Sequence, residues 1–193
     1  MKIGIFGGCF NPPHKMHKEI TLKLIDNGYL DKVIFLPTGD EYTKEDLACF
    51  NDRINMIKLM IKDKSNIIVS EIAKTHSYTY LALDYFKNMY KVDDIYFICG
   101  TDNLDEFDTW KKYEYILENY MLLVIKRNND NIDELLARYN KYISHIIVAN
   151  IDEQTISSTN IRKLIKNGRI NEIYDIIDKE VLDYIIDNKL YIE

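Results

Sequence analysis

Cysteine is scarce in this sequence: Cys9, Cys49 and Cys99 are odd in number, far apart and without a CxxC pair. That excludes a disulfide framework and a cysteine-based metal site, and it points to a reducing cytoplasm. Proline and glycine are also few, 3 and 7 in 193 residues, and no repeat or low-complexity tract occurs. Lysine and arginine form no block and the formal net charge is -6, which leaves a nucleic-acid backbone without a complementary surface. Long apolar runs are missing. The opening MKIGIFGG is broken by glycines within a few residues, too soon for a signal peptide or a membrane span. Two phosphate motifs are absent as well, GxxxxGK[ST] and GxGxxG, which excludes a P-loop protein and an ordinary dinucleotide-binding dehydrogenase.

What is present is an apolar fraction of 47%. It is enough for one domain over 1–193, with 157–193 as a helical C-terminal part. Lys2 to Phe6 reads as a buried strand stopped by Gly7 and Gly8. After a turn-rich loop, Met16, Ile20 and Leu24 recur every fourth position from about His14, with Gly28 as a helix stop. The alternation continues with strands at 32–36, 67–70, 95–99, 120–125 and 146–149. Helices are expected over 52–61, 78–90, 110–117 and 132–142. In the tail, Ile161, Leu164 and Ile165 share one face, Gly168 punctuates, and Val181, Leu182, Ile185 and Ile186 form a stripe beginning after Asp178. Strands alternating with helices predict an α/β fold, a doubly wound and mostly parallel sheet covered on both faces. Ligands of such sheets bind beyond the carboxyl ends of the strands, where strand order reverses.

Two segments carry candidate chemistry. The first is GGCFNPPHKMH, between the first strand and the first helix, where α/β proteins gather phosphates. His14 and His17 are three apart, so at a helix start both rings can face one side of a cleft and stabilise charge on a transferring phosphoryl group. The plain alternative is that His14 caps the helix and His17 is a surface or core residue. The second is ISSTNIR, residues Ile156 to Arg162. Ser157 can cap a helix, Ser158 and Thr159 add hydroxyls near free N–H groups, and Arg162 supplies a fork for phosphate oxygens. A Ser-Ser-Thr cap is common, and most such caps bind nothing.

Together, GGCFNPPHKMH and ISSTNIR resemble the HxGH nucleotidyltransferase superfamily, and within it the nicotinate or nicotinamide mononucleotide adenylyltransferases, whose chains carry G-G-[ST]-F-[DN]-P near the start and ISSTxIR near the end. SYTYLALDYF at Ser77 to Phe86, YFICGTDNLDEFDTW at Tyr96 to Trp110 and the ending YDIIDKEVLDYIIDNKLY extend the resemblance over nearly the whole chain. The bacterial pattern has Ser or Thr where Cys9 stands, Asp where Asn11 stands and Gly where Met16 stands; its P-H-K stretch is replaced by Tyr42, Thr43 and Lys44.

The resemblance implies a Rossmann-like nucleotidyltransferase fold. The reaction it implies is direct attack of a mononucleotide phosphate on the α-phosphorus of ATP, with magnesium riding on the ATP oxygens and no protein metal site. It assigns His17, His14 and Arg162 to catalysis, with Gly8, Cys9, Phe10, Ile156, Ser157 and Ser158 joining them around ATP. Gly100 and Asp102 fall at its nucleoside, and Lys44, Thr79 and Trp110 at the pyridine nucleotide. Two of these have a structural alternative: Asp102 as a helix cap and Trp110 as core. His76 and His145 lie in no motif and read as structural or exposed, and Cys49 and Cys99 as small apolar or loop residues. Nicotinate mononucleotide is the expected acceptor, mildly favoured by a free helix N-terminus at Thr79. Nicotinamide mononucleotide, another superfamily reaction or a catalytically weak nucleotide sensor are the alternatives. A homo-oligomer stays open.

Overall fold

In the computed structural model, which describes residues 1–39, 46–91, 94–126, 131–151 and 156–192, the apolar runs become strands of one sheet. β1 (Lys2–Gly8) leads into α1 (Lys15–Asp26), then β2 (Lys32–Pro37), α2 (Phe50–Ile61) and β3 (Ile67–Val69). α3 (Thr79–Tyr90), β4 (Asp94–Gly100), α4 (Thr101–Asp105), α5 (Tyr113–Asn119), β5 (Met121–Ile125), α6 (Ile132–Arg138) and β6 (Ile146–Ala149) continue the alternation. α7 (Ser158–Lys166) and α8 (Lys179–Asp187) form the helical tail. The six strands run in the order 3-2-1-4-5-6 and every pairing is parallel, as βαβ crossovers require.

Alternation along each strand divides the core between the two faces. On β2, Val33 and Phe35 face the side that also holds Met16, Met60, Ile161 and Val181, while Ile34 and Leu36 face Leu83, Phe86 and Phe107. On β4 the same split places Tyr96 and Ile98 on the first side and Ile95, Phe97 and Cys99 on the second. Such strands are apolar throughout because neither face meets water. The first side is closed by α1, α2, α7 and α8. There α8 is tied down by Lys18 Nζ donating to Asp178 at 2.6 and 2.7 Å and by Tyr184 Oη donating to Asp52 Oδ1 at 2.8 Å.

Several boundaries differ from the sequence reading. The helix expected over 110–117 begins at Tyr113, and the one expected to reach 142 ends at Arg138 and passes into a 3-10 turn over Asn140–His145. α4 and a 3-10 turn at Phe107–Thr109 were not foreseen, since elements of five and three residues carry no readable period. Ile186, counted in the apolar stripe, is 42% exposed, so the buried face of α8 is Val181, Leu182 and Ile185. Gly28 and Gly168 do end their helices, with φ of 73° and 70°.

Candidate functional site

Strand order reverses between β1 and β4, and a cleft of about 430 Å³ opens beyond their carboxyl ends. One wall is the GGCFNPPHKMH segment. Phe10 turns back in the left-handed region, φ 49°, and packs over Gly8, where a Cβ would stand 3.1 Å from its ring. His14 then occupies the N-cap position of α1 with extended backbone, φ −142° and ψ 168°. Its N–H donates to His17 Nδ1 at 3.2 Å, the backward half of a capping box. Because Nδ1 accepts, the neutral His17 ring carries its proton on Nε2. The two imidazoles stack at 3.7 Å between centroids, and Phe10 meets His17 edge-on at 5.0 Å. His14 is buried and His17 half-buried, and both line the cleft. The capping and the cleft-facing readings of this pair therefore hold together.

The second wall comes from the other end of the chain. Ser157 caps α7, accepting the Asn160 N–H at 3.4 Å; it is exposed and stands outside the cleft lining. Ser158, Ile156 and Arg162 do line it. Ser158 Oγ donates to the Pro12 carbonyl at 2.9 Å and Arg162 Nη1 to the Asn11 carbonyl at 2.9 Å, so ISSTNIR grips the backbone of the first loop across about 150 residues of sequence. Ser157→Ala is expected to remove about 1 kcal/mol with the lost cap. Calorimetry should then show a melting point roughly 2–4 °C lower, with the cleft side chains undisturbed.

On the opposite side of the cleft are Thr79, the first residue of α3, and Trp110, half-buried against Phe107 and Phe97 at ring distances of 5.0 and 5.7 Å. Gly100 is the N-cap of α4, so Asp102 is not the cap; it sits exposed in the first turn and lines the cleft. Lys44 lies outside the described residues. Among the described residues, no group of three or more His, Cys, Asp or Glu is placed to hold a metal ion.

Two residues of the site region escaped the sequence reading. Arg53, wholly buried on α2, donates from Nε to the Ala48 carbonyl at 2.9 Å and from Nη1 to the Cys9 carbonyl at 3.2 Å, which anchors the glycine loop from beneath. His76, read as structural or exposed, lines the cleft beside Thr79, with Nδ1 2.9 Å from Thr75 Oγ1. His145 is structural as expected, its Nδ1 bonded to the Leu117 carbonyl. Cys99 is core, where burial pushes its thiol pKa up, and Cys49 is the N-cap of α2.

A doubly wound parallel sheet whose switch-point cleft joins an N-terminal HxxH loop to a C-terminal Ser-Ser-Thr helix start is the arrangement that the resemblance to nucleotidyltransferases implies, and the comparisons with known proteins agree. Residues 5–164 match the cytidylyltransferase-like family model. Proteins described as probable nicotinate-nucleotide adenylyltransferases match over nearly their whole length. The one from Caldicellulosiruptor bescii is 38% identical over 96% of both chains, and that from Endomicrobium trichonymphae 35% over 98% of both. The fold is shared with the nicotinic acid mononucleotide adenylyltransferase of Plasmodium falciparum, solved with NaAD, at a TM-score of 0.82 and 24% identity over 98% of this chain and 97% of that one. This chain belongs to the cytidylyltransferase-like family and, within it, to the nicotinate-nucleotide adenylyltransferases.

Proposed function

We propose that the chain transfers the adenylyl group of Mg-ATP to nicotinate mononucleotide, giving nicotinate adenine dinucleotide and pyrophosphate. A phosphate oxygen of the mononucleotide forms a bond to the α-phosphorus as the bond from that phosphorus to the bridging oxygen breaks. The electron pair departs with pyrophosphate, and no covalent enzyme intermediate forms. Catalysis is then positioning and charge stabilisation. The observation that carries this reading is the meeting of Ser158 and Arg162 with the His14–His17 loop in one switch-point cleft.

In this reading His17 Nε2 donates to the α-phosphate as charge builds there, and the N–H groups at 8–10 join His14, Ser158 and Arg162 around the ATP phosphates. Ser157 contributes by starting α7 and Ile156 by lining the nucleoside end. Gly100 allows the backbone to approach the nucleoside, and Asp102 accepts from ribose hydroxyls. Trp110 offers a flat face to the pyridine ring, and the first turn of α3 at Thr79 turns backbone donors to its carboxylate. Lys44 is assigned to the acceptor phosphate. The metal belongs to the substrate, held by the triphosphate oxygens. No described helix is long and apolar enough to cross a membrane, and the three free cysteines support a cytoplasmic setting for one catalytic domain over 1–193.

Pyrophosphate release from Mg-ATP, measured with nicotinate mononucleotide and in parallel with nicotinamide mononucleotide, tests the proposal. Turnover should be faster with the acid. Equal or greater turnover with the amide would overturn the choice of acceptor. Silence with both, alongside ordinary ATP binding, would point to another acceptor or to a nucleotide sensor.

A further inference from the structure

The adenylyl-transfer reading leaves the end of the chain without a task, although NKLY closes the last of the segments that carry the family resemblance. Tyr191 sits beyond α8 with φ 64°, packed against the apolar core on the α1 side of the sheet. Its hydroxyl donates to Asn11 Oδ1 at 2.6 Å across 180 residues of sequence. Asn11 is 3% exposed, and its polar atoms reach three other places. Oδ1 also accepts the Ala48 N–H at 3.0 Å, Nδ2 donates to the Asp46 carbonyl at 2.8 Å, and the backbone carbonyl accepts Arg162 Nη1 at 2.9 Å. The amide is thus acceptor and donor at once. An aspartate could fill the first role but, ionised, has no proton for the Asp46 carbonyl.

We propose that Tyr191 is a positioning residue of the ATP site, acting through Asn11. The phenol fixes the orientation of the Asn11 amide and with it the Asn11–Pro12 backbone, whose two carbonyls hold Arg162 and Ser158 in the cleft. Burial pushes the Tyr191 pKa up, which keeps the hydroxyl a neutral donor. Without that donor, Asn11 keeps its bonds to 46–48 but is released on the side that faces the tail. The Arg162 fork then samples more than one position, and the loss falls on the ligand that Arg162 and Ser158 contact. The proposal rests on the assignment of those two residues to ATP.

The test is ATP affinity, measured by calorimetric titration of Mg-ATP without acceptor, together with KM for each substrate, in the full chain and in Tyr191→Phe. The phenylalanine keeps the ring and removes only the oxygen. Losing one hydrogen bond of this kind should weaken ATP binding roughly 3- to 10-fold, with KM for nicotinate mononucleotide changed less than about twofold and melting within a few degrees of the wild type. In an Asn11→Ala background the same change should cost almost nothing further, because the path has already been cut. Unchanged ATP affinity, an effect that adds fully to Asn11→Ala, equal weakening of both substrates, or failure of Tyr191→Phe to fold would each overturn the proposal. A wild type that binds ATP yet never forms dinucleotide would refute the acceptor assignment instead, and the Tyr191 comparison would still be read on ATP binding.

Discussion

His17→Asn should fold with near-native melting and bind Mg-ATP with little change, yet lose turnover by about two to three orders of magnitude, the usual effect of removing one donor aimed at transition-state charge. Asparagine suits this experiment better than alanine because of what His17 does in α1. Its Nδ1 accepts the His14 N–H at 3.2 Å, and Asn Oδ1 occupies nearly the same place, so the helix start is preserved. What asparagine lacks is an atom at Nε2. A stacked, half-buried ring also holds its donor in one direction before substrate arrives, between His14 at 3.7 Å and the Phe10 edge at 5.0 Å. A lost donor that acts only in the transition state lowers kcat and kcat/KM together and leaves ground-state binding alone. Pre-steady-state measurement of pyrophosphate release separates the two. A folded His17→Asn enzyme turning over near the native rate would remove His17 from the chemistry.

The largest effect on stability is expected at Arg53, where Arg53→Ala should cost about 3–5 kcal/mol. In a chain of this size that lowers the melting point by roughly 6–20 °C. A wholly buried guanidinium is held by acceptors at Ala48 and Cys9 and lies 5.4 Å from the Phe50 ring. Removing it leaves two carbonyls without their donors and a cavity beneath the glycine loop. Arg53→Met restores much of the volume and none of the donors, so it should recover only part of the loss. Scanning calorimetry of both variants gives the division. Wild-type melting of Arg53→Ala would show that the loop does not depend on this anchor. A full recovery by methionine would show that filling space is all that Arg53 does there.

The sheet was legible because its strands are buried on both faces and announce themselves as apolar runs. The helix ends at Gly28 and Gly168 were legible because only a residue at ease with positive φ suits those positions. The two walls of the cleft were recognisable from motifs at opposite ends of the chain. Their manner of joining was not, since Ser158 and Arg162 grasp the carbonyls of Pro12 and Asn11, and a carbonyl leaves no trace in a sequence. Arg53 could have been noticed: it lies four residues before Ile57 and seven before Met60, on the apolar face of α2, where a charge needs an explanation. His76 offered no such sign. It enters the cleft from the 3-10 turn at Ile72–Lys74 and the link to α3, a stretch too short to carry a period that would reveal it.

Strand order also imposes a schedule on synthesis. β1 is central, lying between β2 and β4, so the first strand to emerge from the ribosome waits for residues 94–100 before both of its edges are paired. The glycine loop that follows it waits longer, for Ser158, Arg162 and finally Tyr191. A nascent chain can therefore complete much of its sheet while it has no finished place for a nucleotide. The bond from Tyr191 to Asn11 closes last, so a chain cut short of it should keep its paired sheet and bind Mg-ATP more weakly.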